Sequence, residues 1–190
     1  PVVIHDDSVD RTTRGSGTVG SLSLEELRAL DAGQGERIPT LAEVCELVKE
    51  AAAGLVVEIK EVGSEEAACR VLEEHRIADP IVVSFHEESI KAVNTLLPRA
   101  LTGHIFSRAA PDPSGTARSL GATFILPKYT LLAGRMVRDA HRIGVLVVPW
   151  TLNVPEAWER AMSLGVDGFA TDDPCAARKY SSGQEETGSG

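Results

Sequence analysis

Short segments rich in Val, Ile and Leu recur along this chain at a nearly constant spacing, each followed by a polar or aromatic residue and a helical pattern closing on Gly or Pro. The segments are continuously apolar rather than alternating, which implies burial on both faces and hence a parallel sheet covered by helices. Successive strand ends lie 21 to 26 residues apart, the length of one βα unit. Together these observations predict an α/β protein. An open doubly wound sheet fits the pattern, as does a (β/α)8 TIM barrel, which the uniform short period favours.

The expected strands are Leu55–Ile59, Ile81–Ser84, Leu101–Ile105, Thr123–Leu126, Val145–Val148 and Asp167–Ala170. Ahead of them, Thr40 with Glu43 three residues later forms a capping-box signal behind Pro39, and Leu41, Val44, Leu47, Val48 and Ala51 follow as one apolar stripe at helical spacing. Gly54, Gly121, Gly144 and Gly165 each stand just before a strand, where a residue free to adopt positive φ can end the preceding helix. The chain opens on Pro1-Val2-Val3-Ile4-His5, a strand-like run with no polar lead-in, and reads as beginning inside a domain. Residues 181–190 contain only Ser, Gly, Gln, Glu and Thr and are expected to form a flexible tail. Six units are legible where a barrel has eight, so the expectation is an incomplete barrel over residues 1–180 that lacks its first two units.

Composition narrows the function classes. With 190 residues, 43% of them hydrophobic and 25% charged, the chain can bury a core as one soluble domain. Its formal net charge of −9 and the absence of a Lys/Arg run argue against nucleic-acid binding, which draws on a basic face. Apolar stretches such as Val145 to Trp150 fall far short of the roughly 20 residues that span a membrane. Cys45, Cys69 and Cys175 are odd in number and irregularly spaced, which favours reduced, buried thiols and a cytoplasmic location over a disulfide framework.

In either architecture ligands gather at the carboxyl ends of the strands. Glu58 and Lys60 end a buried-type strand two residues apart, hence on one face. They are either a structural ion pair or a working site in which Glu58 offers hard oxygens to a cation and Lys60 an ammonium to phosphate. His5 follows an apolar run and is flanked by Asp6 and Asp7, as a general acid or base would be, or as a surface histidine opening a turn. Trp150 projects an indole at a strand mouth, to pack substrate or to cover the core. Trp158 and Met162 read as core, Ser84 as structural, and Arg11 to Gly20 as a turn-rich connector.

These segments resemble the glycerophosphodiester phosphodiesterases, a (β/α)8-barrel family. The resemblance runs from Pro1 to about Arg178 through His5-Asp6, Asp10-Arg11-Thr12-Thr13, Ile38 to Val44, Glu58-Ile59-Lys60, Ser84-Phe85, Trp150 to Asn153, Gly165 to Gly168 and Thr171 to Pro174. It implies hydrolysis of a small-molecule glycerophosphodiester to glycerol 3-phosphate and an alcohol. It further implies that His5 is one of two catalytic histidines, that Glu58 is a ligand of a divalent cation, Mg²⁺ or Ca²⁺, and that Lys60 contacts the phosphate. Phe85 and Trp150 would line the pocket near glycerol.

The family's opening His-Arg-Gly segment has no counterpart in these 190 residues, which implies little or no activity and a weakened metal site for this chain alone. Two other readings stay open. One is a non-catalytic barrel remnant that binds phosphate ligands or a partner chain, with unpaired strand edges that pair copies into a homo-oligomer. The other is a related phosphodiesterase acting on inositol phospholipids or sphingomyelin.

Overall fold

A computed structural model describes residues 1–187, in two compact units. The first comprises Pro1–Leu55 and Ser64–Pro80; the second comprises Val56–Gly63 and the chain from Ile81 onward.

The first unit contains α1 (Leu24–Ala29), α2 (Leu41–Glu50) and α3 (Glu65–Glu74). The Thr40–Glu43 capping box starts α2 as the spacing predicts, and a second one, Ser23 with Glu26, starts α1. The buried face of α2 differs from the expected stripe: Leu41 and Cys45 are buried, whereas Leu47 is 64% exposed. Val9, Leu27 and Ile38 form a small core of their own.

The strand expected at Val2–Ile4 does not form. Val2 makes one isolated antiparallel bridge to Thr40, flanked by Val3 N–H to the Pro39 carbonyl at 2.8 Å and Leu41 N–H to the Pro1 carbonyl at 3.0 Å. Pro39 has no N–H to extend a ladder, and Thr40 is already committed as the N-cap of α2.

The second unit holds the sheet. Its strands are β1 (Val56–Ile59), β2 (Ile81–Ser84), β3 (Leu101–Phe106), β4 (Phe124–Pro127) and β5 (Leu146–Val147), all parallel and in sequence order. Helices alternate with them: α4 (Glu87–Leu96), α5 (Pro113–Ser119), α6 (Gly134–Arg142), α7 (Pro155–Ser163) and α8 (Pro174–Thr187). α8 runs into the segment expected as a tail, whose last residues, 188–190, lie outside the described residues. The core joins Ile90, Phe106, Ile125, Leu132, Val147, Leu152 and Trp158. Among the described residues, no helix is long and apolar enough to cross a membrane.

Five of the six expected strands form. The segment Asp167–Ala170 runs beside β5 through Asp167 N–H to the Val147 carbonyl and Ala170 N–H to the Pro149 carbonyl, at 3.0 and 2.9 Å, without becoming a ladder. The Asp167 carboxylate takes the Val147 N–H at 2.8 Å, a donor the ladder would need, and accepts from His141 Nε2 at the same distance. Trp158 is core as expected, whereas Met162 is 37% exposed; Cys45 and Cys69 are buried, but Cys175 is exposed.

Helix ends follow the expected rule at Gly121, Gly144 and Gly165, whose φ values are +72°, +73° and +77°. They depart from it before β1. There Ala52 takes the left-handed seat with φ +49°, closing α2 through Ala53 N–H to the Val48 carbonyl, and Gly54 has no such role. A Cβ in this region costs about 1–2 kcal/mol, partly offset by the larger entropy loss of glycine on folding. Ala52→Gly should therefore raise Tm by about 1–4 °C, and Gly144→Ala, where a Cβ meets nothing within 4 Å, should lower it by a similar amount. Thermal melts in which both variants shift the same way would contradict this account.

On the helix-facing side of β3, the His104 ring stands 6.0 Å from Phe106, and its buried Nδ1 has no hydrogen-bond partner among the described residues. Burial pushes this imidazole below the usual histidine pKa, against opposing pulls from Glu87 and the Phe85 backbone. The unfolded chain then takes up the proton at higher pH than the folded one. The stability tied to His104 is whole above about pH 6.5 and is lost as pH falls toward the lower folded value. Between about pH 8 and pH 5.5, Tm should fall further in wild type than in His104→Leu; parallel profiles would refute this.

Candidate active site

Parallel pairing sets the site. Glu58 is in register with Val83, Val83 with Gly103, Gly103 with Phe124 and Phe124 with Leu146, so these side chains share one face of the sheet. Two residues further along, the same face carries Lys60, Phe85, Ile105, Leu126 and Val148, and the bridged pair Lys128 and Trp150 comes next. This face is crowded at its centre, where a Cβ on Gly103 would stand 2.5 Å from Leu126 Cδ1 and 3.0 Å from Val83 Cγ1. Its carboxyl edge is open and carries the polar and aromatic residues. Opposite, Ser84 donates to the Ile59 carbonyl at 2.7 Å and accepts from His86 N–H at 3.0 Å, the structural role expected of it.

Lys60 Nζ donates to Glu58 Oε1 at 3.1 Å, with both side chains about 30% exposed. An ion pair this accessible contributes less than about 1 kcal/mol, so either partner can exchange the other for a ligand at little cost. Phe85 meets Trp150 edge to face, with ring centroids 5.8 Å apart and planes at 88°. β2 and β5 are separated by two intervening strands, about 14 Å at the usual spacing, and the rings bridge that gap across the face. Trp150 Nε1 donates to the Leu126 carbonyl at 2.9 Å, which fixes the indole, and Phe85 is 42% exposed. A charged pair and an aromatic wall thus share one open edge.

His5 belongs to the first unit and sits in a loop rather than at a strand end. Its Nδ1 lies 2.7 Å from Asp6 Oδ1, and Arg11 donates to both oxygens of the same carboxylate, its Nη2 at 3.1 Å. Hydrogen bonds from Arg11 and then His5 hold the Asp6 carboxyl well below the usual range. Because Asp6 stays ionised and accepts, neutral His5 carries its proton on Nδ1 and leaves Nε2 for exchange. Arg11, which lies in the turn-rich connector and in the Asp10-Arg11-Thr12-Thr13 segment of the resemblance, is what braces this dyad. The connector itself is built of turns, with Thr13 Oγ1 donating to the Val9 carbonyl and accepting from Gly15 N–H.

Lys128 is the residue of this edge that the sequence pattern does not single out. A signal is present, since Pro127 marks a strand end at the common spacing and Lys128 follows it. Among the described residues, no group of three or more His, Cys, Asp or Glu side chains could by itself hold a metal ion. Glu58 supplies one carboxylate, a donor set suited to a cation that keeps water and substrate phosphate as its other ligands, as Mg²⁺ commonly does.

Comparison with known proteins relates the chain to a family of enzymes. The sequence pattern of the glycerophosphoryl diester phosphodiesterase family fits residues 1–176. A glycerophosphodiester phosphodiesterase of Caldanaerobacter subterraneus is 36% identical over 186 residues, covering 91% of this chain and 76% of the relative. One from Bacillus altitudinis is 29% identical, covering 93% and 79%. Among solved structures, an Oleispira antarctica phosphodiesterase in complex with the product sn-glycerol-3-phosphate superposes with a TM-score of 0.90 at 28% identity, over 96% of this chain and 79% of that one. A glycerophosphodiester phosphodiesterase from Parabacteroides distasonis, at 22% identity, shares the fold with a TM-score of 0.84 over 97% and 79%. The parallel sheet with alternating helices is that of an incomplete barrel of this type, and the chain belongs to the glycerophosphoryl diester phosphodiesterase family of enzymes.

Proposed function

We propose that this phosphodiesterase hydrolyses glycerophosphodiesters to glycerol 3-phosphate and an alcohol, with the phosphate seated at Lys60 and the glycerol against Phe85 and Trp150. The observation that carries this reading is the weak Glu58–Lys60 pair at the edge of the face that also holds the aromatic contact. Lys60 exchanges its carboxylate partner for a phosphate oxygen, a charge-assisted contact of comparable geometry. Glu58, released from Lys60, offers a carboxylate to a divalent cation, Mg²⁺ or Ca²⁺. Such an ion, when bound, would neutralise developing phosphoryl charge. The edge-to-face aromatic pair presents an apolar wall to the glycerol carbons.

His5 is the acid/base group in this reading. Asp6, braced by Arg11, fixes its tautomer and leaves Nε2 to carry a proton to the departing alkoxide or from the attacking hydroxyl. In this reading His5 is the one catalytic imidazole and Glu58 the one carboxylate for a cation, and we propose slow turnover for this chain by itself.

Two measurements test the reading. Calorimetric titration of the purified chain with glycerol 3-phosphate in Mg²⁺ should show binding that Lys60→Ala weakens about tenfold or more, the loss of one hydrogen bond between charged groups. Glu58→Gln should likewise weaken Mg²⁺ binding about tenfold while leaving the thermal transition in place. Unchanged affinities in both variants would remove these residues from the site. Slow release of choline from glycerophosphocholine, reduced further by His5→Ala, is the expected activity, whereas equal rates in the two proteins would exclude His5.

A further inference from the structure

Resting on the proposed hydrolysis of glycerophosphodiesters at Lys60, the position of Lys128 extends that reading to the class of substrate. The parallel bridge between Lys128 and Trp150 continues the ladder beyond β4 and β5. Three backbone bonds hold it there: Lys128 N–H to the Phe106 carbonyl at 2.8 Å, Trp150 N–H to the Pro127 carbonyl at 3.0 Å and Tyr129 N–H to the Trp150 carbonyl at 2.6 Å. Alternation along the strand then puts Lys128 on the face that bears Lys60, Phe85 and Trp150, level with Trp150 and one layer nearer the rim than Lys60 and Phe85. One layer is two residues, about 6.6 Å along a parallel strand.

Lys128 also differs from Lys60 in its surroundings. Lys60 is half-buried and paired with Glu58, whereas Lys128 is exposed, and no ion pair or side-chain hydrogen bond is made by its ammonium among the described residues. In a chain of net charge −9, that leaves an unopposed cation beside the aromatic wall assigned to glycerol. A group that reaches it lies on the glycerol side of the scissile phosphate. The chemistry that matches is a second phosphate on the glycerol itself, the anion that a glycerol hydroxyl carries as an ester: Lys60 and Lys128 end β1 and β4, about 14 Å apart across the sheet at the usual strand spacing, a gap that two lysine side chains with a three-carbon bisphosphate between them can span.

We infer that Lys128 is a specificity-determining residue that selects glycerophosphodiesters whose glycerol carries a second phosphate group. Lys60 takes the phosphate to be cleaved, the glycerol spans Phe85 and Trp150, and Lys128 takes the second phosphate at the rim. An ammonium so exposed contributes mainly through charge, so the preference declines as salt rises.

The test compares glycerol 3-phosphate with glycerol 1,3-bisphosphate as calorimetric ligands of the full chain, at low and at high salt. Wild type should bind the bisphosphate about tenfold more tightly at low salt, one further charge-assisted contact. Lys128→Gln should abolish that preference without changing affinity for the monophosphate, and Lys128→Arg should retain it. Equal affinity of wild type for the two ligands, or a preference that survives in Lys128→Gln, overturns the inference while leaving the Lys60 reading intact. Loss of affinity for both ligands in Lys128→Gln also overturns it, since the residue would then act on the whole site. Failure of wild type to bind either ligand overturns both readings. Near-UV circular dichroism of each variant reports whether the Trp150 environment is preserved.

Discussion

The uninterrupted parallel register from β1 to β5 is the constraint on which the site depends. In such a ladder each residue's face is set by its neighbour's, so a one-residue slip at any strand would turn Glu58, Lys60 or Phe85 from the open face into the helix layer. The register is held by burial on both sides. Val82, Ser84 and Ile125 are fully committed to the helix-facing layer, and Gly103 is pressed so closely by Leu126 and Val83 that no side chain fits there. Shifting a strand would expose the first group and crowd the second.

The chemistry at the edge then follows from exposure. Buried deeply, the Glu58–Lys60 pair would resist separation, because removing one partner leaves an uncompensated charge. At about 30% exposure the same pair holds two opposite charges in place without binding them tightly to each other. That resting state suits the proposed role of accepting an anion and a cation together. In the first unit, by contrast, the Asp6 carboxylate is gripped by Arg11 and His5 at once, which orients an imidazole rather than offering a ligand.

Much of this is legible in the sequence because the relevant signals are local. The period of apolar runs marks the strands, and the two-residue spacing of Glu58 and Lys60 is enough to place both on one face. Three features are less legible, each for a physical reason. The Val2–Ile4 run has strand composition but meets Pro39 and a helix cap instead of a ladder. Asp167–Ala170 has strand composition, yet its own carboxylate occupies a ladder donor. The Phe85–Trp150 contact and the alignment of Lys128 with Trp150 arise from pairing between distant segments, which no local spacing encodes. Family resemblance points to Phe85, whereas Lys128 is marked only by its place after Pro127 at the common strand-end spacing.

The chain's two tryptophans allow one direct measurement of the central claim, that the charged pair and the aromatic wall form a single anion site. Trp150 stands on the open face against Phe85, and Trp158 is buried in the core, donating to the Leu152 carbonyl and stacked on Phe169. In a ¹H–¹⁵N spectrum, titration with glycerol 3-phosphate should move the Trp150 indole resonance and leave that of Trp158 in place. Binding that moves neither indole, or both equally, would contradict the account.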